Sequence, residues 1–333
     1  MEHFGNLPNG APVHRITIQG GGLTAHLLTY GAVLQDLRLE GHGSPLVLGF
    51  EKFAPYVTDS PYFGAIVGRC ANRVRDGHLE LDGKAYQLDR NFLGKHMLHG
   101  GALNMGKRLW QVQSAETDRA ALAISLADGE MGFPGNLEVR VEFSLLPGGI
   151  FDIVMTATTD ATTLCNLAHH SYFNLDGGAT ISEHILRVAA KKYLPVNTEL
   201  IPTGAQSDVT DTCFDFRDFR RVGQAHSVDH NFCLTKGRSA DPHPVAWLRS
   251  ELSGVEMQCR TTEAGLQVYD GAKIDIDKPG LGNQTMKALS GLALEPQIWP
   301  DANHHDDFGQ AVLRPGETYR QHTQFIFSVD QKR

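Results

Sequence analysis

Leu137-Glu-Val-Arg-Val-Glu-Phe143 alternates apolar and charged residues at every step, so Leu137, Val139, Val141 and Phe143 share one face and the charges occupy the other. That is a half-buried strand. Pro147-Gly148-Gly149 follows, and then a second β-rich run, Ile150 to Thr158, which together read as a hairpin. Leu79-Glu-Leu81, Asp82-Gly83 and Lys84-Ala-Tyr-Gln-Leu88 make a second hairpin, because Asp-Gly supplies the positive φ angles of a type I′ turn. Far along the chain, Val255-Glu-Met-Gln-Cys-Arg-Thr261 and Thr323-Gln-Phe-Ile-Phe-Ser-Val329 repeat the alternation. No segment sustains a 3.6-residue period over three turns, and the nearest candidate, residues 216–224, is short and charged. The chain reads as all-β with a few short helical turns. Antiparallel sheets of this extent hide their edges by stacking or closing, which predicts a sandwich or a barrel.

Composition agrees. The 333 residues include 35 Gly and 15 Pro, about 10.5% Gly against an average of about 7%, and so many turn residues imply many short strands. No Ser/Pro/Gly linker or low-complexity block marks a boundary, so residues 1–333 are expected to form a single domain, with a division near Leu146 as the alternative. Net charge is −8, and Lys and Arg cluster no further than Lys191-Lys192 and Arg220-Arg221, which excludes an electrostatic footprint for nucleic acid. The first residues, Met1-Glu2-His3-Phe4-Gly5-Asn6, lack a basic and then apolar leader, and no stretch nears the roughly 20 apolar residues of a membrane span, so the expected compartment is the cytoplasm. Five widely spaced cysteines without a Cys-x-x-Cys suit reduced thiols.

Six Gly- and aromatic-rich segments set hydrogen-bonding groups inside apolar frames: residues 68–74, 97–101, 166–174, 228–232, 265–270 and 294–301. A buried polar group costs roughly 1–3 kcal/mol unless it is paired, so these segments need a purpose. Metal binding is one. His169-His170 and His304-His305, with Asp301, Asp306 and Asp307, supply enough ligands, but neighbours on a strand point to opposite faces and no His-x-His or His-Glu-x-x-His spacing occurs. Acid–base chemistry on a neutral polyhydroxylated ligand is the other. Glu295 lies on the apolar run Leu292-Ala-Leu294 before Pro296, where desolvation would raise its pKa into the range of a general base, with His as its natural acid partner. Taken alone, Glu295 reads equally as a capping or ion-paired carboxylate, His170 as a satisfied core histidine, and Arg69 with Arg73 as a surface pair. A nucleophilic mechanism lacks its Gly-x-Ser-x-Gly elbow.

Taken together the segments resemble the aldose 1-epimerase family. The matching stretches include Pro61-Tyr-Phe-Gly-Ala-Ile-Val-Gly-Arg-Cys-Ala-Asn-Arg-Val74, Leu98-His-Gly-Gly101, Lys107-Arg-Leu-Trp110, Asp128-Gly-Glu-Met-Gly-Phe-Pro-Gly-Asn136, residues 166–175 and residues 197–204. Asp229-His-Asn-Phe232, Gly265-Leu-Gln-Val-Tyr269, Leu294-Glu-Pro-Gln297, Pro300-Asp-Ala-Asn303 and Arg314-Pro-Gly-Glu-Thr-Tyr319 complete the series in order. The resemblance implies a large antiparallel β-sandwich, the galactose mutarotase-like supersandwich, and interconversion of the α and β anomers of free aldohexoses without cofactor or metal. It further implies Glu295 as base, His170 as acid and His99 assisting at the ring oxygen. Asn72, Arg73, Asp229 and Gln267 would then hold sugar hydroxyls, and the partner is a monosaccharide bound by a monomer or homodimer. Two features depart from the family pattern: His169, where Asn is more usual, and the loop Asn303-His-His-Asp-Asp-Phe308, placed to line the entrance. A sugar-phosphate epimerase is the alternative enzyme, and a carbohydrate-binding protein without catalysis the alternative class. The first would need a cluster of cations at the site and the second would lack Glu295 or His170.

Overall fold

The computed structural model describes residues 1–225 and 227–329. Its largest sheet has nine strands, in spatial order Gln111–Ala115, Arg119–Leu126, Leu137–Leu146, Ile150–Thr159, Tyr319–Val329, Val255–Thr261, His243–Arg249, Ile185–Val188 and Arg220–Arg221. The opening hairpin sits inside it, with Leu146 paired to Ile150 around Pro147-Gly148-Gly149. Leu137, Val139, Val141 and Phe143 are buried, while Glu138 and Arg140 are exposed, as the alternation requires. The last strand begins earlier than its alternation suggests, at Tyr319, and runs between Ile150–Thr159 and Val255–Thr261. At the second hairpin Asp82 and Gly83 both carry positive φ, 51° and 76°, between His78–Leu81 and Lys84–Gln87. Among the described residues, helical content is one five-residue α-helix, Ala54–Thr58, and scattered 3₁₀ turns; residues 216–224 hold a strand, Arg220–Arg221, and the turn Val222–Gln224.

A six-stranded sheet carries the chemistry: Tyr172–Phe173, Leu292–Gln297, Gly265–Tyr269, Asp229–Cys233, Lys192–Tyr193 and Ser207–Asp208, all antiparallel. One face turns Phe173, Leu294, Leu266, Val268 and Phe232 into the same core cluster as Phe143, Phe151 and Phe325 of the large sheet. That stacked core is the sandwich. The other face carries Glu295, Gln267 and Asn231 side by side, because each is the register partner of the next. Tyr269 and Asp229 form the adjoining row on the same face.

Candidate active site

The polar face of the six-stranded sheet is the floor of a cleft. Glu295 stands on the floor and His170 comes from the turn just before Tyr172–Phe173, bringing Nε2 within 3.5 Å of Glu295 Oε1. Backbone bonds pin that turn from both sides, His170 N–H donating to Ala65 O at 2.9 Å and Gly64 N–H donating to His170 O at 3.0 Å. Beside Glu295, Gln267 donates through Nε2 to Asp229 Oδ1 at 2.6 Å, and Arg73 donates through Nη2 to Asp229 Oδ2 at 3.2 Å. Arg73 Nη1 also reaches Asn72 Oδ1 at 3.2 Å, and its guanidinium lies 4.9 Å from the Phe92 ring centre.

Two loops build the walls, residues 61–75 and 91–105. They meet where Arg73 pairs with Leu98. Asn72 and His99 both adopt left-handed backbone, φ 63° and 52°, a conformation costly to non-glycine residues and typical of functional loops. Gly100, φ 91°, lets the loops touch: a Cβ there would run into the Gly68 carbonyl. The backbone N–H of Asn72 donates to His99 Nδ1 at 3.2 Å, so Nδ1 holds a lone pair and the proton of the neutral ring sits on Nε2. Tyr62 packs against both histidines, ring centres 4.9 Å from His99 and 6.0 Å from His170. On the other side Tyr172 stacks on His170 at 5.0 Å.

Burial sets the charges. Desolvation, reinforced by Asp229 and opposed by Arg73, pushes the Glu295 carboxyl up to about 8. His170 is pushed down to about 4, again chiefly by burial, and burial with the neighbouring His170, Arg73 and Lys107 holds His99 well below its ordinary range. Around neutral pH the cleft therefore holds a protonated carboxyl facing a neutral imidazole. The two groups lie 3.5 Å apart, one able to give a proton and the other to take it, which is the arrangement a proton-transfer site needs.

The same chain can be compared with known proteins. The family pattern described as Aldose 1-epimerase matches residues 14–326. This chain belongs to that family. It is 38% identical over 338 residues to the galactose mutarotase of Mus musculus, covering 98% of this chain and 97% of that protein. Among solved structures, an aldose epimerase homologue from C. elegans superposes with a TM-score of 0.89 at 32% identity, covering 95% of this chain and 99% of the other. A galactose 1-epimerase from Lactobacillus acidophilus gives 0.86 at 26% identity, with 99% and 98% covered. The all-β fold and the isomerase class of this epimerase follow from those likenesses.

Glu295, His170, His99, Asn72, Arg73, Asp229 and Gln267 all line this one cleft, together with Tyr62, Phe92, Tyr172, Tyr269 and Lys273. The latter five escaped sequence reasoning. Tyr172 and Tyr269 stood in quoted segments but carried no signal distinguishing them from core aromatics, and Lys273 follows the last of those strands in a turn. Three donors, His99, His170 and Glu295, lie within 4.8 Å of one another. They suit a metal poorly, because the His99 nitrogen left free by Asn72 carries a proton.

Other expectations change. Arg69 is not half of a surface pair: it is 2% exposed and donates to the carbonyls of Leu126, Ala127, Pro134 and Gly135, stapling the Asp128-to-Asn136 loop. His169 and His170 split across the sheet as strand geometry demands, His169 packing against Phe143, Phe151 and Phe325 in the core and bonding Ser171 Oγ at 3.1 Å. Loop 303–308 does not line the cleft. His304 instead holds the buried Asp301 at 2.6 Å, and Asp301 accepts from the backbone N–H of Arg75 at 2.8 Å, so the loop braces the segment that presents Arg73. The open side of Gly265 is filled by Asn231 and Trp299. No helix among the described residues is long and apolar enough to cross a membrane.

Proposed function

We propose that this epimerase interconverts the α and β anomers of free aldohexoses such as glucose and galactose, with Glu295 and His170 as the reacting pair. The observation that carries the reading is their 3.5 Å approach at the floor of a cleft lined with planar polar groups. Ring opening needs a base at the anomeric hydroxyl and an acid at the ring oxygen. The Glu295 proton passes to His170 as sugar fills the cleft; Glu295 as carboxylate then takes the hydroxyl proton while His170 as imidazolium protonates the ring oxygen, and the C1–O5 bond breaks to an aldehyde. Rotation about C1–C2 presents the other face of the aldehyde. Reclosure reverses the roles: the carboxyl of Glu295 returns its proton to the carbonyl oxygen as the C5 hydroxyl attacks, and neutral His170 takes that hydroxyl's proton.

The supporting groups fit the same chemistry. His99, proton on Nε2, donates to oxygen near the ring. Asp229 accepts from sugar hydroxyls, and its alignment by Gln267 and Arg73 fixes its orientation without waiting for substrate. Asn72 and Arg73 hold further hydroxyls and steady developing oxyanion charge. A phosphate is disfavoured, since Arg73 is engaged by Asp229 and Asn72, leaving Lys273 as the other cation on the wall among the described residues. The presence of both proton-transfer groups weighs against a binding protein without catalysis. Residues 1–333 act as one unit in this reading, supported by a core cluster that draws on residues from Ile16 to Phe327. The five unpaired cysteines favour a reducing, cytoplasmic setting for a monomer or homodimer.

Polarimetry of freshly dissolved α-D-glucose and α-D-galactose tests the function. The wild-type protein should hasten the approach to equilibrium rotation, and Glu295→Gln and His170→Asn should each slow it by about 10²–10⁴-fold. Unchanged relaxation with wild type on both sugars would refute the reading.

A further inference from the structure

We infer that Asn231, which does not line the cleft, is a positioning residue for the sugar-binding row, acting through Gln267. The assignment rests on the epimerase reading above. Gln267 spends its amide nitrogen on Asp229 Oδ1 at 2.6 Å. Its carbonyl oxygen, on a side chain only 3% exposed, has no donor among the described residues. A buried acceptor left without a donor is costly, and natural folds supply one.

The complementary group lies directly across the ladder. Asn231 is the register partner of Gln267 on the side away from Glu295, and directly opposed residues on one face of an antiparallel pair have Cβ atoms about 4.5–5.5 Å apart. Asn231 is 2% exposed, and both ends of its amide are buried and unpartnered. Its Oδ1 is lodged against Gly265, the next residue of the facing strand on that face, where a Cβ would collide with it. That leaves Nδ2 as the donor for Gln267 Oε1, a rotation of one carboxamide away.

With that bond the floor becomes a continuous chain in which Asn231 donates to Gln267, Gln267 donates to Asp229, and Arg73 donates to both Asp229 and Asn72. Each amide end then has one sense. Without Asn231, Gln267 Oε1 stays buried without a donor and the bond to Asp229 alone holds the amide, so the amide is held less firmly; a flip would set its carbonyl oxygen against the Asp229 carboxylate, two acceptors face to face. The carboxylate that takes the sugar hydroxyls would lose its alignment, whereas Glu295 and His170, which bond to neither amide, would keep theirs. Asn231 therefore governs substrate binding more than the proton-transfer step.

A double-mutant cycle on galactose mutarotation tests this, with wild type, Asn231→Ala, Gln267→Ala and the double variant, each checked for folding by circular dichroism. Asn231→Ala should raise KM by about 10-fold with kcat changed less than about 2-fold, a split that general loosening of the fold would not produce. Added to Gln267→Ala it should change kcat/KM by less than about 2-fold, because its effect travels through the missing amide. Asn231→Ser, which keeps a short donor, should recover KM to within about 3-fold of wild type, and it stands in for Asn231→Ala should that variant misfold. Losses that multiply in the double variant, an unaltered KM in Asn231→Ala, or a serine variant with kcat and KM equally impaired would overturn the assignment. Failure of the wild type to accelerate any aldose would instead defeat the epimerase reading beneath it.

Discussion

Replacing Glu295 by Gln should make the protein more stable while disabling it, and the stabilisation should grow with pH. The folded carboxyl keeps its proton up to about 8, whereas an unfolded glutamate loses it near 4.5. Between those values the folded state binds one proton more than the unfolded state, so the wild type loses stability as pH rises, by about 1.36 kcal/mol per unit. Its contribution is complete below 4.5 and gone above about 8. Gln has nearly the same shape and no proton to lose. From about pH 6 to about pH 8 the gap between variant and wild type should therefore widen by about 1.7 units' worth, about 2.3 kcal/mol, the folded carboxyl being half ionised at the upper end. His170, pushed down from 6.5 to about 4, works the other way, adding stability as pH rises toward 6.5, but it is present in both proteins and drops out of the difference to first order. Urea unfolding followed by tryptophan fluorescence at the two pH values measures the gap. A gap that stays constant or narrows would refute a carboxyl held neutral by burial, and with it the proposed proton bookkeeping at the site.

Two further perturbations separate the walls from the floor. Gly100→Ala sets a side chain at φ 91° and against the Gly68 carbonyl, so it should cost about 2–3 kcal/mol in urea unfolding and lower kcat/KM by displacing His99; a stability unchanged from wild type would show that the two loops do not meet as described. Activity should survive exhaustive treatment with a chelator, since the Asn72 N–H leaves His99 a donor at the cleft; inactivation that added zinc reverses would mean that Asn72 releases Nδ1 and that His99, His170 and Glu295 close on an ion.

Strands were legible where one face meets the core and the other meets water. Val255-Glu-Met-Gln-Cys-Arg-Thr261 alternates cleanly and its strand has those bounds. Leu292–Gln297 does not alternate, because loops 61–75 and 91–105 cover its outer face and all six residues are buried. Periodicity could not separate a general base from a paired carboxylate there: the apolar run made Glu295 a candidate for either, and the resemblance to other epimerases favoured the base. The two-residue strands Ile66–Val67 and Ala168–His169 are too short for any period to register, yet they steer His169 into the core and His170 into the cleft. Tyr62, Phe92 and Lys273 reach the site through loop geometry set by contacts distant in sequence, a kind of information that local pattern does not hold.

The electrostatics of the site bear on why such a pair suits this reaction. Burying a carboxylate beside an imidazolium is expensive unless both are well bonded, and here Glu295 Oε2 and His170 Nδ1 have no partner among the described residues. The neutral pairing is the cheaper resting state, and it is also the pairing that exists when the sugar is open. In the proposed reaction, opening moves one proton from the anomeric oxygen to Glu295 and one from His170 to the ring oxygen, closing reverses both, and the charge of the cleft stays constant. Neither anomer is privileged by that exchange, since each is made by returning one proton from Glu295 to the anomeric oxygen and one from the C5 hydroxyl to His170. In the proposed reaction a pair whose two forms carry equal net charge needs no solvent proton to reset, so the surrounding row of Asp229, Gln267 and Arg73 would need only to hold the sugar still while C1 turns.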